Sequence, residues 1–166
     1  EMRASGIISA DKSPWPEVIA ALEGTKAAPQ PAYRNELALI KPVWEQLPQE
    51  RRKLLQLLSR FDLTPAQAQR FFDHKKRKES FSIPTTDAEI IENPYILAER
   101  DMGTFNDVPI SMTSIDRGLL PDEIAGANDP VPEPSRVDSP SDRRRVRCAM
   151  VAILRRAAND GDSLLS

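Results

Sequence analysis

The chain has 166 residues, a formal charge of −2 and hydrophobic residues at 40% but aromatics at only 5%. It is long enough for one ordinary domain or two small ones, with a core built from Leu, Ile, Val and Ala, a composition that favours helices over sheets. One cysteine, Cys148, excludes an internal disulfide framework, and with one histidine, His74, soft ligands are too few for a typical structural zinc site.

Fifteen prolines stand against six glycines, and they gather between apolar stretches, where a residue without an N–H donor breaks helices. The expected fold is all-α, short helices with long Pro-rich connections. Residues 1–47 read as a helical lead-in. Pro14 and Pro16 open a short helix from Glu17 to Leu22 that Gly24 ends, and a Pro/Ala linker follows over 24–31. From Tyr33, Leu37, Leu39, Ile40, Val43, Trp44 and Leu47 fit helical spacing, and Pro42 predicts two pieces with a break near Lys41.

Residues 48–120 hold the next group of helices. One runs from Gln49 to Arg60, with Leu54, Leu55, Leu57, Leu58 and Phe61 as its buried stripe. After a turn at Asp62-Leu63, Thr64 and Pro65 form an N-cap and N1 pair for a helix from Ala66 to Asp73, which makes a helical hairpin. His74 to Lys78 then interrupts the apolar pattern with four formal positive charges. Such a run can reach consecutive phosphates, or it can be a solvated helix end, where cations are also favoured. A helix near Asp87 uses Ile90 and Ile91 and is divided at Asn93-Pro94. A loop over 102–107 leads to a further helical turn carrying Val108, Ile110, Met112 and Ile115.

Residues 121–140 read as an extended Pro/Asp-rich connection with little core of its own. The stretch 141–166 holds a closing helix, Ser141 to about Asn159, with Val146, Ala149, Met150, Ile153, Leu154 and Ala157 on its core face and Gly161 as its stop. On that reading Cys148 is a packing residue beside the core. The cluster of Arg143, Arg144, Arg145 and Arg147 begins a helix, where the dipole opposes cations and where Asp138 and Asp142 can neutralise it.

No stretch matches the glycine-rich phosphate loop G-x-x-x-x-G-K-S/T, so ATP hydrolysis by this chain is not expected. No nucleophile–base pair stands out either, and the chain reads as not an enzyme by itself, with no cofactor. Apolar runs fall far short of the ~20 residues that span a bilayer, so no membrane partner is expected and the cytoplasm is the natural compartment. A start at Glu1 fits a fragment of a longer protein, and cloning or processing gives the same appearance.

The order of these features adds a family. The segments Leu58–Ala68 (LSRFDLTPAQA) and Asp87–Glu99 (DAEIIENPYILAE) resemble the helix-hairpin-helix region ahead of the motor in RecD-like DNA helicases, where an Asn-Pro-Tyr element ends the first hairpin unit. Ile115–Leu119 (IDRGL) falls where a second hairpin would lie, and 142–165 resembles the closing helix that leads towards the ATPase domains. The resemblance implies tandem helix-hairpin-helix-like units over 48–120, acting in DNA repair and recombination. ATP and Mg would serve only a motor outside this chain. The segment would bind and guide DNA: backbone amides from Leu63 through Thr64 to Ala66, with Arg70, Lys75, Lys76, Arg77 and Lys78, would hold phosphates with little sequence preference. Thr64 is also expected as an N-cap. The second hairpin lacks glycines that would let its amides approach phosphate, and this favours an alternative, a protein-interaction or structural module that docks on the motor or a partner subunit. A continuous basic face would speak for DNA and an exposed apolar face for docking.

Overall fold

The computed structural model describes residues 12–26, 33–120, 128–159 and 161. Among them the chain is mostly helical, with no named strand and two isolated bridges, Phe81 with Asp101 and Thr104 with Asp107. The helices are α1 (Trp15–Glu23), α2 (Tyr33–Gln46), α3 (Gln49–Leu58), α4 (Pro65–Phe72), α5 (His74–Ser80), α6 (Asp87–Glu92), α7 (Ile96–Arg100), α8 (Met112–Leu119) and α9 (Arg143–Asn159). None is long and apolar enough to cross a membrane. The expected all-α class is therefore observed. The chain divides into two compact units, Glu1–Arg52 with Asp122–Pro130, and Lys53–Pro121 with Val131–Ser166.

In the first unit α1 ends as expected at Gly24, whose φ of 77° is the left-handed conformation that glycine adopts without a Cβ penalty. Helix α2 is continuous through Pro42, against the expected break. Pro42 and Ala38 both lie exposed, so the carbonyl that loses its i+4 donor can turn to water. Trp15 stacks on Trp44 at 6.0 Å, and the Arg52 guanidinium lies 5.0 Å from the Trp44 ring. Arg52 also donates to the carbonyls of Leu47 and Glu45, closing the α2–α3 turn.

The second unit holds the larger core. Leu54, Leu57, Leu58 and Phe61 enter it from the α3 end, as their spacing predicts, and meet Phe71, Phe81, Ile90, Ile91, Tyr95, Leu97, Ile110, Ile115 and Leu119. Gly118 lets α8 approach the end of α3: a Cβ there would lie 2.6 Å from Phe61 Cδ1 and 2.8 Å from the Arg60 carbonyl oxygen. Two full capping boxes start helices here, Thr64 with Gln67 on α4 and Thr86 with Glu89 on α6. The basic run is itself helix α5, with Asp73 accepting from the Lys76 amide as its cap. Asn93 ends α6 before Pro94, and α7 begins at Ile96.

Two expectations change in this unit. Val131 and Val137, from the Pro-rich connection, are buried in the core, and Ser135 donates a 2.6 Å hydrogen bond to the Ile91 carbonyl. That segment is thus more than a spacer. The larger change is in α9, which packs on α7 and α8 with only Cys148 fully buried. Its expected core residues Val146, Met150, Ile153 and Leu154 are 42%, 59%, 67% and 48% exposed.

Candidate functional site

The expected phosphate site begins at the α3–α4 turn. Leu63 is half-buried against the core, whereas Thr64 and Ala66 are exposed. The Thr64 hydroxyl accepts from the Gln67 amide at 3.0 Å and donates towards the Asp107 carboxylate at 3.1 Å, while the Thr64 amide donates to Gln67 Oε1. A helix N-terminus attracts anions through its exposed amides and its dipole. Here the anion is Asp107, from the protein itself.

Arg70, one turn further along α4, does not face solvent. Its side chain is 3% exposed and makes a two-pronged ion pair with Asp101, Nε to Oδ1 at 2.9 Å and Nη2 to Oδ2 at 2.7 Å. The guanidinium also pairs with Asp107 and donates to the Val108 carbonyl at 2.8 Å. Burial works to lower the Arg70 pKa, but hydrogen bonds and charge from both carboxylates outweigh it and leave it raised. Asp101, wholly buried, also accepts from the amides of Gly103 and Ile110. One arginine thus holds the whole 101–110 loop.

Gly103 makes the turn of that loop possible. Its φ is 70°, and a Cβ would lie 2.7 Å from the Asp107 carbonyl oxygen. Beyond it the Thr104–Asp107 bridge carries Phe105 fully into solvent. The sequence reading missed Asp101, Asp107 and Gly103. The signal was present: two aspartates bracket a glycine in DMGTFND, a composition that makes turns through side-chain acceptors and positive φ.

In α5 the cations divide. Arg77 is 1% exposed; it donates to Asp87 Oδ1 at 2.6 Å, to the Thr85 carbonyl at 3.2 Å, and to the Phe71 carbonyl. His74 meets the same Asp87 carboxylate at 3.1 Å. Arg70 and Arg77 therefore spend their donors inside the fold, where they cannot serve a phosphate without breaking buried ion pairs. Lys75, Lys76 and Lys78 are exposed, beside Asp73 and Glu79 on the same short stretch.

The arginines of α9 divide in the same way. Arg145 forks onto Asp116 at 2.9 and 3.0 Å, and Asp116 accepts from the Tyr95 hydroxyl at 2.7 Å. Tyr95 is raised above its ordinary pKa by burial and then by that carboxylate. Arg144 donates to the carbonyls of Glu92, Pro134 and Arg136 and pairs with Asp142. Arg155 donates to the carbonyls of Ala98 and Glu99. Buried among them, Glu99 pairs with Arg147 at 3.2 Å through Oε2, and burial raises its pKa against the pull of Arg147, Arg100 and Arg155. Burial likewise pushes the Cys148 thiol up to about 12, so it is a packing group and not a thiolate nucleophile.

One outward face of α9 is apolar: Val146, Met150 and Ile153 are exposed at a 4-3 spacing, with Leu154 beside them and the half-buried Ala157 next along the same face. Arg143, Arg147 and Arg156 are exposed on the same helix, which contains no carboxylate from 143 to 159. Comparison with protein-family models, curated proteins and solved structures finds no match to this chain.

Proposed function

We propose that this chain is a non-catalytic docking module that fastens to a partner protein; in the setting implied by the RecD-like resemblance, the partner is the helicase motor or a companion subunit. One observation carries the reading: α9 has Arg144, Arg145, Arg155 and Cys148 against the domain and Val146, Met150, Ile153 and Leu154 in water. Large exposed apolar side chains arranged as a stripe mark interaction surfaces, whereas scattered ones do not. Asp107 at the α4 N-terminus supports the same reading, because a phosphate approaching those amides meets a carboxylate.

A second reading, strand guiding on DNA, rests on the three exposed lysines of α5. In that reading Lys75, Lys76 and Lys78 alone supply the phosphate contacts, and binding weakens steeply with salt.

A photoreactive residue at position 150 or 153, with one at 78 as control, tests the docking reading in the cells that make the protein. The expected result is a discrete protein adduct from 150 and 153 and none from 78. Excess wild-type chain displaces it, and a Met150→Ser/Ile153→Ser chain does not. Absence of that adduct, together with salt-sensitive binding to forked DNA that is lost when Lys75, Lys76 and Lys78 become alanine, would favour strand guiding instead.

A further inference from the structure

The buried carboxylates of the second unit are not alike. Asp101 takes both prongs of Arg70 and the amides of Gly103 and Ile110, and Asp87 takes Arg77 and His74, so each is met on both oxygens. Glu99 on α7 is supplied on one side only. Its side chain is 4% exposed; Oε2 meets Arg147, itself 68% exposed, at 3.2 Å, while Oε1 is buried and accepts no hydrogen bond from any described residue. A buried charge is tolerated when it is both paired and hydrogen-bonded, and half of this carboxylate is neither.

Glu99 lies where α9 packs on α7. Arg147, Arg155 and Cys148 of α9 and Arg100 of α7 act on it. Arg155 is engaged with the carbonyls of Ala98 and Glu99, and Arg100 with Glu89 of α6. Asp116 of α8, the other carboxylate acting on Cys148, is held by Tyr95 and Arg145. We infer that Glu99 is a proton-operated clasp: protonated, it keeps α9 closed on α7, and ionised, it lets α9 open locally while the rest of the core stays folded.

The direction follows from where the carboxyl sits. With α9 open it titrates near its ordinary 4.5; with α9 closed, burial outweighs the three arginines and raises it. The proton therefore favours the closed form fully below about 4.5, and that preference is lost as pH rises through the raised value. Openings stay rare throughout, and pH changes their frequency. The helix that responds is the one bearing the exposed Val146, Met150 and Ile153, so the mobility of that face follows pH.

Amide hydrogen exchange of the full chain, corrected for the intrinsic rate at each pH, tests the clasp. Between about pH 4.5 and 8, protection over residues 147–155 is expected to fall by at least about threefold relative to Leu57 and Leu58 of α3. Glu99→Gln, neutral and of the same shape, should hold α9 protection level across that range. Arg147→Gln, at an exposed position, removes the partner of Oε2 and should steepen the fall, whereas Arg143→Gln, one turn away, should leave it unchanged.

Protection that does not change with pH, or that falls equally in Glu99→Gln, overturns the clasp. An equal fall in α3 and α9 overturns it as well, because the whole domain then responds and not one helix. Should circular dichroism show that Glu99→Gln does not fold, Arg147→Gln decides: a fall no steeper than that of the natural chain contradicts the clasp.

Discussion

Helices α3 and α9 both carry a clear apolar stripe in the sequence, yet they are used in opposite senses. In α3, Leu54, Leu57 and Leu58 are buried and the charged residues Glu50 and Lys53 are exposed. In α9, Arg144, Arg145, Arg155 and Cys148 face the domain, and Met150 and Ile153 face water. Periodicity identifies a face, but the available partners decide which face turns inward. At α9 those partners are polar: the Asp116 carboxylate and the carbonyls of Glu92, Ala98, Glu99, Pro134 and Arg136. A guanidinium satisfies several such acceptors at once, and a leucine would strand them.

The contrast is broken or sharpened first by removing an inward arginine. Arg70→Ala leaves Asp101 and Asp107 without their shared cation, and loss of one partner of a buried pair costs about 3–5 kcal/mol. Urea unfolding should show that loss, whereas Lys75→Ala, Lys76→Ala and Lys78→Ala each stay within about 0.5 kcal/mol. Equal, small effects at all four positions would mean that Arg70 is not internal.

The next test compares the two stripes directly. Leu54→Ala removes a fully buried side chain and is expected to destabilise by about 2–5 kcal/mol. Ile153→Ala should change stability by no more than about 0.5 kcal/mol. Gly118→Ala falls between them at about 1–3 kcal/mol, because its methyl group must displace Phe61 or the Arg60 carbonyl. Denaturant midpoints at constant slope provide all three values.

The smallest effects concern pH, and two carboxylates give opposite slopes. Glu99 is raised above its ordinary value of 4.5 by burial. The folded chain therefore holds that proton more tightly than the unfolded chain, and this contribution to stability falls as pH rises from about 4.5 through the raised value. Glu89 is lowered by its bond from the Thr86 amide and by Arg100. Its contribution is present above 4.5 and lost as pH falls through the lowered value. Glu99→Gln should remove the first slope and Glu89→Gln the second, as read from unfolding midpoints between pH 3 and 7.

Much of unit two was legible from residues alone. Thr64-Pro65 as a helix start, the Asn93-Pro94 division and the Leu54–Phe61 stripe depend on local chemistry, and each lies where that chemistry puts it. The continuous α2 was not legible, because whether Pro42 breaks the helix depends on whether the carbonyl that loses its donor can find another or turn to water, and the exposure of Ala38 and Pro42 is not written in the local sequence. The α5 helix was hidden because its 74–78 run has no apolar period. The inward arginines were hidden for a different reason. Arg70 and Arg77 look like any surface cation until Asp101, Asp107 and Asp87, which lie 31, 37 and 10 residues away in sequence, are brought beside them. Phosphate binding was assigned to cations by their number, whereas the fold had already supplied carboxylates for two of them.

The most direct test of the inverted helix uses its own thiol. In Ile153→Cys, the natural Cys148 reports the inward face and the new cysteine reports the outward one, five residues apart on α9. Under native conditions at pH 8, a thiol reagent should titrate one cysteine at the rate of a free thiol, at position 153, while Cys148 reacts only after denaturant is added. Fast reaction of Cys148 together with protection of position 153 would show that α9 is turned the other way, and the docking face would go with it.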